Sequence, residues 1–93
     1  MQHRKFRGWG GLRVFAAWDA RRHTFTAYAR DVNDTIVWQV GQEEVELPTI
    51  TALQQALEPR RAYLTVEVVA ALLGDQEGGT AALAGIGGVG VAQ

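Results

Sequence analysis

A chain of 93 residues, 47% apolar and 20% charged, has the composition of one small globular domain and not of a charge-rich disordered segment. It contains no cysteine and no serine, which excludes disulfides, thiolate metal sites, thiol nucleophiles and the commonest hydroxyl nucleophile. The net charge of −1 hides two halves of opposite sign: residues 1–30 hold seven basic side chains against one acid, and residues 31–93 hold two against nine.

The opening residues are basic. Arg4, Lys5 and Arg7 interleave with Phe6 and Trp9, and Gly8, Gly10 and Gly11 follow without periodicity. This pattern predicts a flexible basic arm over 1–11. It lacks the apolar run of a secretory signal. Nothing in the chain approaches the roughly 18 to 20 apolar residues of a membrane span. The expectation is a cytoplasmic protein with no membrane partner.

From Leu12 the hydrophobic period is 2, as in a half-buried strand. Leu12, Val14, Ala16 and Trp18 share one face of a first strand, and Asp19-Ala20-Arg21-Arg22 is its turn. In the second strand, His23 to Arg30, Phe25, Ala27 and Ala29 point inward, while Thr24, Thr26, Tyr28 and Arg30 point outward. Asn33-Asp34 supplies residues that tolerate positive φ, as a tight hairpin wants. The third strand, Thr35 to Val40, places Ile36, Trp38 and Val40 inward, and Gly41 ends it. Glu43 to Leu47 is either a short fourth strand with an acidic outer face or an extended connection.

After Pro48 the period changes to that of a helix. Thr49 is the expected N-cap. Ile50, Leu53 and Leu57, with Ala52 and Ala56, form a stripe that stops at Pro59. Thr65 is a second N-cap, and Glu67 suits the positive end of the helix dipole. The apolar face of this second helix reads as Val66, Val69, Ala70, Leu72 and Leu73, with Gly74 or Gly78 as its end. Residues 78–93 hold six of the eleven glycines and no charge, which predicts a disordered Gly/Ala-rich tail. Gly85-Ile86-Gly87-Gly88-Val89-Gly90 within it follows no strand and opens no helix, so it is not a phosphate loop.

The predicted architecture is α+β: a three- to four-stranded antiparallel β-meander followed by two short helices packed on one face, in a single domain over 12–77. A core this small is of marginal stability, and self-association would relieve that, so a homodimer is expected.

The strongest functional signal is the basic arm. Arg4, Lys5, Arg7 and Arg13 can meet phosphates, and an aromatic such as Trp9 can stack on a base. Arg21 and Arg22 extend the same patch if the first turn lies near the arm. Trp18 and Trp38 read as core. The outward face with Phe15, Thr26, Tyr28 and Arg30 reads as a binding surface or a dimer interface. Asp19 and His23 flank one turn and Asp31 and Asp34 bracket another, where acids order backbone amides. No metal site and no cofactor are expected of them, although Asp19, His23 and Asp31 are the residues a metal-dependent nuclease or hydrolase would use.

Two strands, a turn, a third strand, and then Gly41, Thr49, Leu53, Ala56 and Leu57 in a Thr-x-x-x-Leu-x-x-Ala-Leu helix resemble, over about half the chain, the small antitoxins of the HicB type. Those pair a partial ribonuclease-H-like sheet with a separate DNA-binding segment. Here the C-terminal stretch is glycine-rich and shows no clear DNA-binding unit. The sequence as a whole predicts a non-catalytic interaction module that binds another protein, including a second copy of itself. The alternative is a nucleic-acid-binding or antitoxin-like regulator acting through its arginines.

Overall fold

The structure is a computed structural model and describes residues 1–42 and 46–84. Strands β1 (Arg4–Arg7), β2 (Arg13–Asp19), β3 (Thr24–Arg30) and β4 (Ile36–Val40) are followed by helices α1 (Ile50–Leu57) and α2 (Val66–Ala84). The strands form one antiparallel sheet in the order β1-β2-β3-β4. This is the predicted α+β meander with both helices on one face.

Alternation dictates the two faces of the sheet. Phe6, Val14, Ala16, Trp18, Phe25, Ala27, Ala29 and Val40 point to the helices and are buried. Leu53 and Leu57 of α1 and Val68 and Leu72 of α2 close over them. Helix α2 lies across β1 and β2, and α1 lies over β3. The other face of the sheet carries no layer among the described residues.

Local chemistry sets the boundaries. The Thr49 side chain accepts from the Ala52 amide (3.0 Å) and caps α1. The Thr65 hydroxyl accepts from the Val68 amide (3.1 Å) and caps α2. Pro59 sits in a 3-10 turn, Glu58–Arg60, that ends α1. The Asp19 carboxylate accepts from the amides of Arg21 (3.1 Å) and Arg22 (3.3 Å) and orders the β2–β3 turn. The Asp31 carboxylate does the same for Asn33 (2.8 Å) and Thr35 (3.0 Å). After β4 the chain returns to the start of β3: Leu47 accepts from the Phe25 amide (2.8 Å) and donates to the buried Thr24 hydroxyl (2.6 Å).

Several expectations need correction. Arg4–Arg7, read as part of a flexible arm, is an edge strand whose Phe6 enters the core opposite Val14. The glycine cluster after it is the hairpin turn, closed by the Gly8 amide donating to Leu12 O (2.8 Å). The fourth strand therefore comes from the N-terminus. The candidate strand over Glu43 to Leu47 falls mostly on 43–45, outside the described residues, and Glu46 and Leu47 are not in a strand.

The hairpin between β3 and β4 is also looser than the Asn33-Asp34 pair implied. Asp31 donates across it to Thr35 O (3.0 Å), and of the two loop residues only Asp34 (φ 67°) has positive φ. The register shifts in β4, where Ala29 pairs with Trp38 and Arg30 with Ile36, so Val37 is the extra residue. This bulge turns Ile36 out of the core and onto the face of Arg30.

Among the α2 side chains described, those of residues 66–78, the buried ones are Val68 and Leu72, while Val66 is 82% exposed and Leu73 46%. Contact with the sheet, together with an ion pair from Asp75 to β1, chooses this face. The helix runs on past Gly74 and Gly78 to Ala84, so residues 78–84 of the expected tail are helical. Residues 85–93 lie outside the described residues.

Candidate nucleic-acid interface

Strand register places side chains in rows across the uncovered face. One row is Arg7, Arg13, Arg30 and Ile36, drawn from β1, β2, β3 and β4 in turn. The next is Lys5, Phe15, Tyr28 and Gln39. With strands ~4.8 Å apart and like-facing residues ~6.8 Å apart along a strand, these rows cover about 14 by 7 Å.

The aromatic pair is central. Phe15 and Tyr28 are direct cross-strand partners, stacked with centroids 5.2 Å apart and planes at 21°. His3 meets Tyr28 edge-on at 5.7 Å, and the Arg30 guanidinium lies 5.4 Å from the Tyr28 centroid. Both rings are only partly buried. An aromatic cluster on a helix-free sheet face contributes nothing to the core on the other side.

The cations surround it. Lys5 and Arg7 are exposed on the edge strand. A hollow of about 510 Å³ opens at that end, lined by Lys5, Phe6, Arg7, Gly11, Leu12 and Arg13. Arg13 donates to Asp34 Oδ1 and Asp31 O, both at 2.7 Å. That pair is solvent-exposed, and such pairs contribute only about 0–1 kcal/mol, so a phosphate can compete for the guanidinium. Arg30 donates to Asp34 O (2.6 Å).

The opposite charge sits on the other layer. Helix α2 carries Glu67, Asp75 and Glu77 and no basic residue. The split is not complete: Asp31 and Asp34 lie in the β3–β4 turn beside Arg13, and Arg60 and Arg61 lie in the turn that follows α1.

The seven residues singled out from the sequence do not form one patch. Lys5, Arg7 and Arg13 share the open face. Arg4 points the other way and makes a two-bonded ion pair with Asp75 (2.6 and 2.9 Å), tying β1 to α2. The hydrogen bonding of the guanidinium to the Asp75 carboxylate holds Arg4 above its usual pKa, against partial desolvation and with help from the Asp75 charge.

Arg22 is taken up inside the fold, with one nitrogen donating to Gly41 O (3.1 Å) and another buried with no partner among the described residues. Arg21 lies at the far end of β2, beside Met1, Gln2 and Asp75. That is about 20 Å along the strand from Arg13. Trp9 is 64% exposed in the β1–β2 turn, with Arg61 stacked 5.2 Å from its centroid.

Arg30 and Ile36 were not among the candidate cation-site residues. Arg30 was recognisable as outward-facing by its alternation with Tyr28. Its companions were hidden because β1 was not read as a strand.

Among the described residues no group of three or more His, Asp or Glu side chains is placed to hold a metal ion. The carboxylates of Asp19 and Asp31 are engaged with local amides, and His23 packs edge-on against Trp18 at 6.1 Å. No helix among the described residues is long and apolar enough to cross a membrane. No protein-family model matches the chain, and neither a curated protein nor a solved structure matches it significantly. The likeness to HicB-type antitoxins rests on the strand order and on Gly41, Thr49, Leu53, Ala56 and Leu57.

Proposed function

We propose that this chain is a non-catalytic interaction module and that the partner its open sheet face fits best is a nucleic acid. One observation carries the reading: Lys5, Arg7, Arg13 and Arg30, from three adjacent strands, share a face with the stacked Phe15–Tyr28 pair. Cations there neutralise phosphates and release counterions. The signal moves from a mobile arm to a surface held by backbone ladders, which lowers the ordering cost of binding.

Binding of labelled oligonucleotides, single-stranded and duplex, at about 50 and 300 mM salt tests this. Affinity should fall steeply with salt. Lys5→Glu and Arg7→Glu should abolish it, while Arg21→Glu, off the face, should keep it. Absence of binding at low salt, or full retention by Lys5→Glu, refutes the reading.

A protein partner is the second reading, and Ile36 (44% exposed) and Val37 (50%) favour it. They place apolar surface at the β4 edge beside the open face, where a second copy of the chain would find a strand unpaired among the described residues. The opposite edge, β1, carries Lys5 and Arg7, which discourage strand addition. A homodimer would therefore use β4. Light scattering of Ile36→Lys against the parent chain checks it: a dimer that becomes a monomer supports this reading, and a parent chain that is already a monomer removes it.

A further inference from the structure

We infer that the open face binds single-stranded RNA, with unpaired bases on the Phe15–Tyr28 pair and the neighbouring Arg30 guanidinium and phosphates on Lys5, Arg7 and Arg13; this rests on the nucleic-acid reading above. Three features narrow the partner.

The first is the position of the aromatics. Phe15 and Tyr28 lie on the two central strands, with Lys5 beside Phe15 on β1 and Gln39 beside Tyr28 on β4. Ring surface in the middle of a charged face is of use to a base whose own face is free. A duplex hides its base faces in the stack, so it would meet only the cations. A single strand presents base faces and phosphates together, and stacking tolerates any sequence because every base has a π-face. The Arg30 guanidinium over Tyr28 offers a further plane on which a base can stack.

The second is shape. Duplex readers insert a helix or a β-ribbon into a groove. Here both helices are on the opposite face, and among the described residues nothing projects from this one. An area of about 14 by 7 Å matches two or three splayed nucleotides and is too small to track a duplex.

The third is the polar chemistry around Tyr28. Gln39 is its cross-strand partner, and Thr26 is the next residue on the same face of β3. Both side chains can donate and accept. The ribose 2′-hydroxyl also does both, and it is the group by which a protein distinguishes RNA from DNA. Both side chains flank Tyr28 on the same face, within reach of the sugar of a base that joins the Phe15–Tyr28–Arg30 cluster, which favours the ribose strand.

Fluorescence anisotropy with three labelled ten-residue probes is the test: oligo(rU), oligo(dT) and a mixed-sequence RNA duplex. The expected order is oligo(rU) tightest, oligo(dT) weaker and duplex weakest. Loss of one stacked base by Tyr28→Leu or Phe15→Leu should weaken oligo(rU) by about 5- to 150-fold. Tyr28→Phe should stay within about twofold, since it keeps the ring. For single strands each phosphate contact contributes about −0.7 to the log–log salt slope, so Arg7→Ala should flatten the slope by about that amount.

Melting curves for each variant establish that it is folded. Should Tyr28→Leu not fold, the Phe15→Leu and Tyr28→Phe results decide the matter. Equal binding of duplex and oligo(rU), with no effect of either leucine variant, overturns the single-strand inference while leaving the nucleic-acid reading intact. Equal binding of oligo(rU) and oligo(dT) overturns the choice of sugar. No binding of any probe at low salt overturns both. So does a protein dimer that comes apart on Tyr28→Leu without RNA, because a second copy would then own the face.

Discussion

Gly41 is where the chain leaves β4, and alanine there should be among the most damaging small substitutions in the protein. Its φ is +77°, and an added Cβ would stand 2.1 Å from Phe25 O and 3.0 Å from Thr26 Cα, both backbone atoms of the central strand β3. The left-handed backbone costs an L residue about 1–2 kcal/mol. The clash adds to this, because relief requires β3 to move by about 1 Å or Gly41 to leave its position, and neither is free in a packed sheet.

Movement at Phe25 also disturbs its amide bond to Leu47 and its carbonyl bond from Thr24. The total is roughly 3–5 kcal/mol, a large share of the ~5–15 kcal/mol that holds a native domain together. Gly10 separates the two causes: its φ is +73°, and nothing lies within 4 Å of the added Cβ. Gly10→Ala should therefore show only the conformational part, about 1–2 kcal/mol.

Urea unfolding followed by tryptophan fluorescence reads both, because Trp18 is buried and Trp38 packs against the same core. In a thermal scan of the same signal, at about 4–8 °C per kcal/mol for a domain of this size, Gly41→Ala should lower Tm by at least ~12 °C and Gly10→Ala by clearly less. Equal losses at the two positions would refute the close approach of Gly41 to β3.

The remaining predictions concern α2, the β3 start and the β1 anchor. Gly74 has open space around an added Cβ and no positive φ, so Gly74→Ala should raise stability by about 0.5–1 kcal/mol in the same urea assay. Leu72→Ala should lose about 2–5 kcal/mol as a core truncation, while Val66→Ala, at 82% exposure, should change stability by no more than about 0.5 kcal/mol. Thr24→Val should cost about 1–3 kcal/mol in thermal unfolding, because the buried Leu47 amide loses its acceptor.

Arg4→Gln should release β1 from α2, measured as faster hydrogen exchange in β1 with β3 unchanged. Because Asp75 raises the Arg4 pKa, that ion pair's contribution is complete at pH below the ordinary arginine range, and it is lost only as pH climbs through the raised value. Exchange in β1 should therefore show no step of Arg4 origin between about pH 6 and 9.

Strands β2 and β3 and helix α1 were legible in the sequence because each carries a clean period. Val14, Ala16 and Trp18 alternate, Phe25, Ala27 and Ala29 alternate, and Thr49 precedes a stripe through Leu53 and Leu57. Strand β1 was not legible, since Arg4-Lys5-Phe6-Arg7 holds one apolar residue among three cations. An edge strand needs only that one inward anchor, and the glycines that looked like an arm are the turn of its hairpin. Helix α2 was legible as a helix but not in its orientation. Val66, Val68, Val69, Ala70, Ala71, Leu72 and Leu73 put apolar groups in almost every direction, so contact with the sheet and the Arg4–Asp75 pair decide which side is buried.

The candidate site was half legible for related reasons. Tyr28, Phe15 and Arg30 were recognisable as outward-facing from their own strands. Their meeting with Lys5 and Arg7 depends on β1 joining the sheet, and the place of Ile36 beside them depends on a bulge. Arg4 and Arg22 looked equivalent to the other arginines in sequence, but parity along a strand and a turn geometry direct them into structural bonds.

Amide chemical-shift mapping with an unlabelled single-stranded RNA tests the central claim most directly. The account predicts perturbations at Lys5, Arg7, Arg13, Phe15, Tyr28, Arg30 and Gln39, growing with RNA concentration and reversed by salt, with the exposed side of α2 silent. Perturbations centred on α2, or none at low salt and millimolar RNA, would contradict it.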